Sequence, residues 1–424
     1  MRMMMRTTVG VLLGALAATA ASAAPDAAEP TTKVAREGPL AGLPSAPGPH
    51  IEKIRALDNN EWVNLGAPAP DPKWGRAPGR SWCCTMPFDP RLRGAFLYGE
   101  GQHGHVKPNG RYMDDCWFYD LNGHRWICVY PGTDVKNPGL TRDAEGFPVD
   151  QDGRRTPVSL CVHAYDLLTW DSDQHRLMIM GTHEYCFAPK TLKALLPPGG
   201  KVPPSSPWMY DPATGRWDVR RVDGPSPEKA EGTLLYLPGM KKVFYRSGKG
   251  GAAVWFYDPA RNSWTRVMPQ GPRPPFGIDP TACYDPKRER IYIGGGSYPS
   301  VEEGKNALWI YDLKADAWID PQPKATPLSH FATTYATMRY DPVADVVIVA
   351  AHAEKKRGIH VYDPAANAWR APTLSFPEEF PKKCVNGFYD PDWNVHVFHV
   401  AGDSRPDGRI WAYRYKRAEE KPAS

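Results

Sequence analysis

Five octets share one pattern: YDLNGHRW (119–126), YDPATGRW (210–217), YDPARNSW (257–264), YDLKADAW (311–318) and YDPAANAW (362–369). Each opens with Tyr-Asp and closes with Trp. An apolar run precedes it, a short run follows, and turn formers lie between, which is the signature of a β-hairpin with a four- to five-residue loop. A second element follows most of these tryptophans: FDPRLRGAFLYG from Phe88, WDSDQHRLMIMG from Trp170, YLPGMKKVFYRS from Tyr236, YDPKRERIYIGG from Tyr284, YDPVADVVIVAA from Tyr340 and YDPDWNVHVFHV from Tyr389. These align without a gap and read as a second hairpin. The repeating unit therefore has four antiparallel strands, a to d, the second element joining a to b and the octet joining c to d.

The chain ends fix the topology. An orphan strand d, EWVNL around Trp62, starts the repeats, and an orphan strand c, RIWAYRYK around Trp411, ends them. Together they complete one blade, so a ring of blades is clasped by pairing the two ends, which removes exposed sheet edges. Counting Trp62, Trp126, Trp217, Trp264, Trp318 and Trp369 gives an all-β, six-bladed β-propeller over residues 51–416, with 417–424 a charged tail. The repeated Trp is expected between neighbouring blades and Tyr-Asp in the turn, so both are scaffold.

Composition agrees. The 424 residues are 42% apolar and 23% charged, with 46 Pro, 38 Gly, 15 Trp and 20 Tyr, a turn-rich and aromatic-rich balance that suits many short strands. Arg2 and Arg6, the apolar stretch Val9 to Ala20 and the small residues Ala21, Ser22 and Ala23 read as a secretory signal cleaved after Ala23. Residues 24–50 read as a flexible Pro/Ala-rich leader. No later run has the roughly 18 apolar residues that cross a bilayer, so no stable membrane insertion is expected, and a periplasmic or secreted location is. Losing both arginines with the signal leaves 50 basic against 47 acidic residues, and no basic run with interleaved aromatics offers a nucleic-acid footprint.

The unit of strand a, aromatic-Asp turn, strand b ending in Gly, then Tyr-Asp to Trp resembles the kelch repeat. The double glycine of that family is clear at Gly294 and Gly295, is interrupted by Glu100 between Gly99 and Gly101, and is replaced by Ala350 and Ala351. The resemblance implies the propeller fold. It also implies a choice of roles: carbohydrate lyase or sugar epimerase, protein-interaction module, or copper radical oxidase. The last would need adjacent Tyr-His ligands, and no Tyr-His dipeptide occurs.

Loops b-to-c and d-to-a share one face of the ring and carry the insertions, Gly99 to Asp115, Tyr130 to Leu160, Gly181 to Pro207, Gly294 to Asn306 and Gly402 to Gly408, which makes that face the candidate binding face. His103, His105, His163, His183, His330 and His352 map there. Six residues before each turn Asp or its equivalent, the inner strand presents Cys83, Tyr165, Glu231, Asp279, Tyr335 and Cys384, a mixed polar ring at the channel mouth. The sharpest cluster is His103, His105, His163, Tyr165, His183, Glu184 and Tyr185. With Arg246 nearby, imidazole and phenol could abstract a proton α to a uronic carboxylate and return one to the leaving oxygen. His103, His163, Tyr165, His183 and Arg246 are thus the candidate catalytic set, and Glu184, Tyr185, Glu231, Asp279, Tyr335 and His352 the candidate substrate contacts. His105 with His103 and His183 could instead hold a metal ion, the one cofactor the sequence suggests. The expected partner is a carbohydrate or other polar ligand, with a protein partner as the alternative.

Eight cysteines in an exported chain suggest disulfides. A hairpin turning around Asn122 would set Cys116 opposite Cys128, and similar counting brings Cys161 near Cys186. Adjacent Cys83 and Cys84 either bridge or point to opposite faces of a strand.

Overall fold

The computed structural model describes residues 37–417 other than 82, 84, 100–105, 138, 158–163, 181–205, 223, 228–231, 248–252, 275–279, 295–307, 325–330, 354–355, 381–384 and 403, with the backbone alone at 331–335, 352, 353, 356, 372 and 373. Six four-stranded antiparallel sheets form the ring, each in the order a, b, c, d. The inner strands a are Phe88–Asp89, Leu168–Asp171, Gly232–Leu237, Thr281–Asp285, Phe331–Asp341 and Val385–Asp390, which number blades one to six. One short helix, His50–Ala56, stands outside the blades.

Closure follows the expected scheme. Glu61–Gly66 pairs antiparallel with Arg409–Arg414, setting Trp62 opposite Tyr413 and Val63 opposite Ala412, so the N-terminal end supplies the outer strand of blade six.

The turn acids work as N–H acceptors. Oδ1 of Asp285, Asp341, Asp258 and Asp363 each accepts the backbone N–H groups two and three residues on, at 2.9–3.1 Å. The fourth turn residue then adopts positive φ: 55° at Asp345, 50° at Asn262, 48° at Asn367 and 49° at Asn394. The octet Trp of blades three to five packs on the preceding blade, as its repetition implied. Trp264 joins Met178 and Met209 of blade two, Trp318 joins Phe244 of blade three, and Trp369 joins Tyr292 of blade four.

Two expectations change. The segment expected as flexible leader up to residue 50 is bound to the ring from Glu37 onward. Glu37 N donates to Ala213 O at 3.3 Å and Gly48 N to Asn122 O at 2.9 Å, and Leu40 and Leu43 are fully buried. Ile54 O and Leu57 O then take donors from Arg414, so the strap runs from the octet turn of blade two across that of blade one to the clasped blade six. The physical reason is apolar: Leu40, Leu43, Ile51 and Ile54 join the core of the first blades.

The register of the first octet hairpin also differs. Its turn spans four residues rather than pivoting on Asn122, so Asp120 faces Arg125, Trp117 faces Cys128, and after a bulge Cys116 faces Tyr130. The expected Cys116–Cys128 bridge is therefore corrected: both are free, buried thiols. Cys161 and Cys186 lie outside the described residues.

Candidate functional site: the central funnel

Blade alternation leaves the six inner strands around one axis. Parallel bridges between neighbouring inner segments tie them: Cys83 to Tyr165, Asp166 to Thr233 and Thr85 to Gly387. Cys83 and Tyr165 are thus neighbours at one level, as their matched spacing implied. Where the a-to-b hairpins turn, the inner strands enclose a funnel of about 410 Å³ with all six blades on its wall. That size falls in the usual range for a small-molecule site.

The funnel wall is aromatic for a reason rooted in the repeat. The residue before each turn acid, or before Leu237 in blade three, is aromatic in every blade: Phe88, Trp170, Tyr236, Tyr284, Tyr340 and Tyr389. All six line the funnel. Five keep part of their surface accessible, Tyr236 being 8% exposed. Tyr340 and Tyr389 donate their hydroxyls to Asp345 and Asn394 at 2.7 Å, which fixes the rings upright on their own turns.

Among the described residues, two charged side chains on inner segments link several blades. Arg339 of blade five lines the funnel, where its Nη1 donates to Met338 O at 2.6 Å and its Nη2 to Gly387 O at 2.7 Å and to Thr85 Oγ1, linking blades five, six and one. Asp166, in the segment leading into blade two, is 1% exposed. Its Oδ2 accepts the Thr233 hydroxyl at 2.5 Å and the Ala282 N–H at 3.0 Å, linking blades two, three and four. Burial pushes the Asp166 carboxyl up to about 6, against the pull of the Arg339 cation. Cys83 and Cys283 lie in the fields of the same two charges, and burial pushes the Cys83 thiol up to about 12. Neither thiol is a nucleophile there.

The opposite face, where the insertions fall, holds a buried ionic knot between blades one and six. Arg80 and Asp115 are both fully buried and paired, and Lys107 Nζ and Trp117 Nε1 reach the other Asp115 oxygen at 2.8 and 2.7 Å. Burial raises the Asp115 carboxyl, but Arg80 and Lys107 outweigh it and hold the group below its ordinary range.

Of the candidate catalytic set, Tyr165 and Arg246 are described. Tyr165 is 5% exposed and packs with Leu167, Met178, Leu234 and Tyr245 between blades two and three. Arg246 is 1% exposed, its guanidinium 5.5 Å from the Trp318 ring centroid, between blades three and four. The two lie on opposite faces of blade three and are not brought together. Burial lowers the Arg246 guanidinium to about 10. His103, His105, His163, His183, Glu184, Tyr185, Glu231 and Asp279 fall outside the described residues. Tyr335 and His352 lie in strands Phe331–Asp341 and Val346–Ala353 without described side chains. Among the described residues no group of three or more His, Cys, Asp or Glu could hold a metal ion.

The collar and its two charges are hidden in the sequence, because repetition marks the collar residues as scaffold. A signal was present. Two residues before the turn acid or its equivalent, the other blades carry Pro87, Thr169, Leu235, Cys283 and Phe388 where blade five carries Arg339. Five residues before it they carry Cys84, Gly232, Pro280, Ala336 and Val385 where blade two carries Asp166. A lone charge at an inner-strand position is the mark of a special blade.

No family model matches the chain, and no curated protein does. Among solved structures it is similar to TolB from Acinetobacter baumannii, at 13% identity and TM-score 0.40 over 78% of this chain and 66% of that one. A chain of the mitotic checkpoint complex matches at 8% identity and TM-score 0.44, over 85% of this chain and 92% of the other. YjhT matches at 12% identity and TM-score 0.47, over 83% and 97% respectively.

Proposed function

We propose that the chain is an exported, kelch-type propeller that binds a carbohydrate in the central funnel. The observation that carries this reading is the collar of six aromatic side chains, one from each blade, around a funnel of about 410 Å³. A sugar ring has an apolar C–H face whose positive edge suits the negative face of an aromatic ring, and upright, tethered rings lose little freedom on meeting it. The reading moves the binding face from the insertion side to the hairpin side, because the collar and Arg339 converge on the latter. Kelch membership is supported by the Tyr-Asp to Trp octets, the aromatic-Asp turns and the shared closing blade. Export is supported by the basic, apolar and small-residue run at residues 2–23, and N-terminal sequencing of secreted protein beginning at Ala24 would test it.

The binding test is isothermal titration calorimetry of the mature protein with neutral and anionic mono- and disaccharides. The expected result is saturable binding that weakens about tenfold in Trp170→Ala and in Tyr284→Ala, a loss of about 1.4 kcal/mol. Absence of heat with every sugar, or full affinity in both variants, would sink the reading.

A catalytic role is the second reading, favoured by strain at one residue. Tyr165 holds φ at +47°, alone among the described Tyr, Trp and Phe residues, and such strain collects at functional sites. A lyase would release unsaturated uronic ends absorbing in the ultraviolet, and that signal would vanish in Tyr165→Phe.

A further inference from the structure

We infer that the funnel is a blind cup that takes the end of a glycan chain, one or two sugar rings deep, and excludes its internal stretches. The inference rests on the funnel being the sugar site, and it deepens that reading from a sugar to a chain terminus.

The floor of the cup is built from the inner strands themselves. Two residues before the collar position, every blade is buried: Met86, Leu168, Leu234, Ala282, Met338 and Gly387. The next level down is buried in all six blades as well, Thr85 being its most accessible residue at 7%. Backbone and side chains closed on every side leave no path along the axis wide enough for water at these levels, and so none for a sugar.

Direct bonds between blades explain the closure. Leu234 N donates to Asp166 O at 2.7 Å, and Met86 N to Gly387 O at 3.1 Å, so neighbouring inner strands touch backbone to backbone. Side chains complete the stitching: Asp166 takes donors from blades three and four, while Arg339 donates to blades six and one. All six blades are thereby joined just beneath the collar. The mouth is stiffened too, because Pro90, Pro238 and Pro391 line the wall directly after their turn positions and fix the backbone there.

A cup of about 410 Å³ that opens only at the hairpin face admits a ligand along the axis. A terminal sugar ring descending that way meets aromatic side chains from all six blades and loses its water on every side. An internal stretch has chain leaving it in both directions. It must lie across the mouth, where it reaches collar residues on two opposite sides and leaves the cup beneath it unfilled. Burial on all sides is what makes a concave site bind, so the end is the form of the glycan that the shape selects.

The experiment is calorimetry on the mature protein with maltose, maltohexaose and α-cyclodextrin. All three are built of α-1,4-linked glucose, and the third is a ring of six units without an end. Maltose and maltohexaose are expected to bind within about threefold of one another per mole of chain, because units beyond the cup stay in water, and α-cyclodextrin at least about thirtyfold more weakly. Trp170→Ala should weaken maltose and maltohexaose alike, which places both in the cup. Binding of α-cyclodextrin within about threefold of maltohexaose overturns end selection and leaves the carbohydrate site standing. Maltohexaose binding ten times or more tighter than maltose also overturns it, since the added units would then be held along the surface. Failure of the wild type to bind any of the three removes the sugar site, and the selection with it.

Discussion

The hydroxyl of Tyr362 donates a 2.8 Å hydrogen bond to Oδ1 of Asn367 across the octet turn of blade five, and the Asn367 amide donates on to Pro321 O at 2.6 Å, in the segment trailing from blade four. The same clamp joins Tyr257 to Asn262 and Tyr389 to Asn394, while Tyr311 and Tyr340 reach Asp316 and Asp345. In blades three to five the octet tyrosine thus serves by its hydroxyl as much as by its ring. Asn367 sits at φ +48°, where asparagine is tolerated and alanine is strained. Tyr362→Phe should cost about 1 kcal/mol. Asn367→Ala should cost about 2 to 3 kcal/mol, since it loses both bonds and pays the left-handed strain, with Asn367→Gly between the two. Urea unfolding of the three variants checks the order, and an Asn367→Ala cost no greater than that of Tyr362→Phe would refute it.

Blade one makes the clamp with a histidine, and that makes it sensitive to acid. Tyr119 Oη lies 2.8 Å from His124 Nδ1, and the His50 ring of the strap lies 4.8 Å away, centroid to centroid. Burial, then the charge of His50, lowers His124 to about 4. A folded value below the ordinary one of about 6.5 means that the unfolded chain takes the proton first. The stability held in neutral His124 is therefore complete above about pH 6.5 and drains as pH falls toward 4. His124→Asn copies the chemistry of Asn262 and Asn367 without the titration. Its fall in Tm between pH 7.5 and pH 5 should be smaller than that of the wild type by the equivalent of about 1 kcal/mol, a figure discounted for partial exposure. Parallel Tm curves over that range would refute the assignment.

Asp166 should show the opposite sign. Its carboxyl is raised to about 6 from an ordinary value near 4, so the folded protein takes the proton first and the ionised group is a liability at neutral pH. Asp166→Asn keeps an oxygen for Thr233 and Ala282 and removes the charge. The variant should be more stable than the wild type by about 1 to 3 kcal/mol at pH 8, with the gain shrinking toward pH 5 as wild-type Asp166 becomes neutral. Chemical denaturation at the two pH values decides it: a variant less stable than wild type at pH 8 would mean that pairing with Arg339 outweighs burial.

The ring and its closure could be read from sequence because they rest on repetition. Trp126 through Trp369 recur at turn positions that only a packed blade interface explains, and EWVNL and RIWAYRYK are incomplete without each other. The strap could not be read, since Leu40, Leu43, Ile51 and Ile54 are spaced without a strand or long-helix period and declare their burial only against blades already formed. The Cys116 register differs for a local reason: the turn after Asp120 holds four residues where a pivot on Asn122 needs three, and that one extra residue shifts every pairing of the hairpin, setting Cys128 opposite Trp117. The funnel was hidden by the same repetition that revealed the fold. An aromatic kept in all six blades looks like packing until the ring brings the six together.

The thiols supply a last check on packing. Cys83, Cys116, Cys128 and Cys283 are buried at 2%, 0%, 6% and 4% exposure. Burial raises each thiol above its ordinary value, and for Cys116 the neighbouring Cys128 adds to the effect. The thiolate is the reactive form, so both access and ionisation argue for inertness. Iodoacetamide at pH 8, with sites mapped by mass spectrometry, should leave these four unlabelled in the native protein and label all four in guanidinium. Native labelling of Cys116 or Cys128 faster than global unfolding would show that the first octet hairpin opens on its own. That would follow if the bulge at Val129 weakened the outer edge of blade one. A uniform response of all four would instead mean that blade one unfolds with the ring, as expected where Trp126 of its outer strand packs 5.0 Å from His399 of blade six.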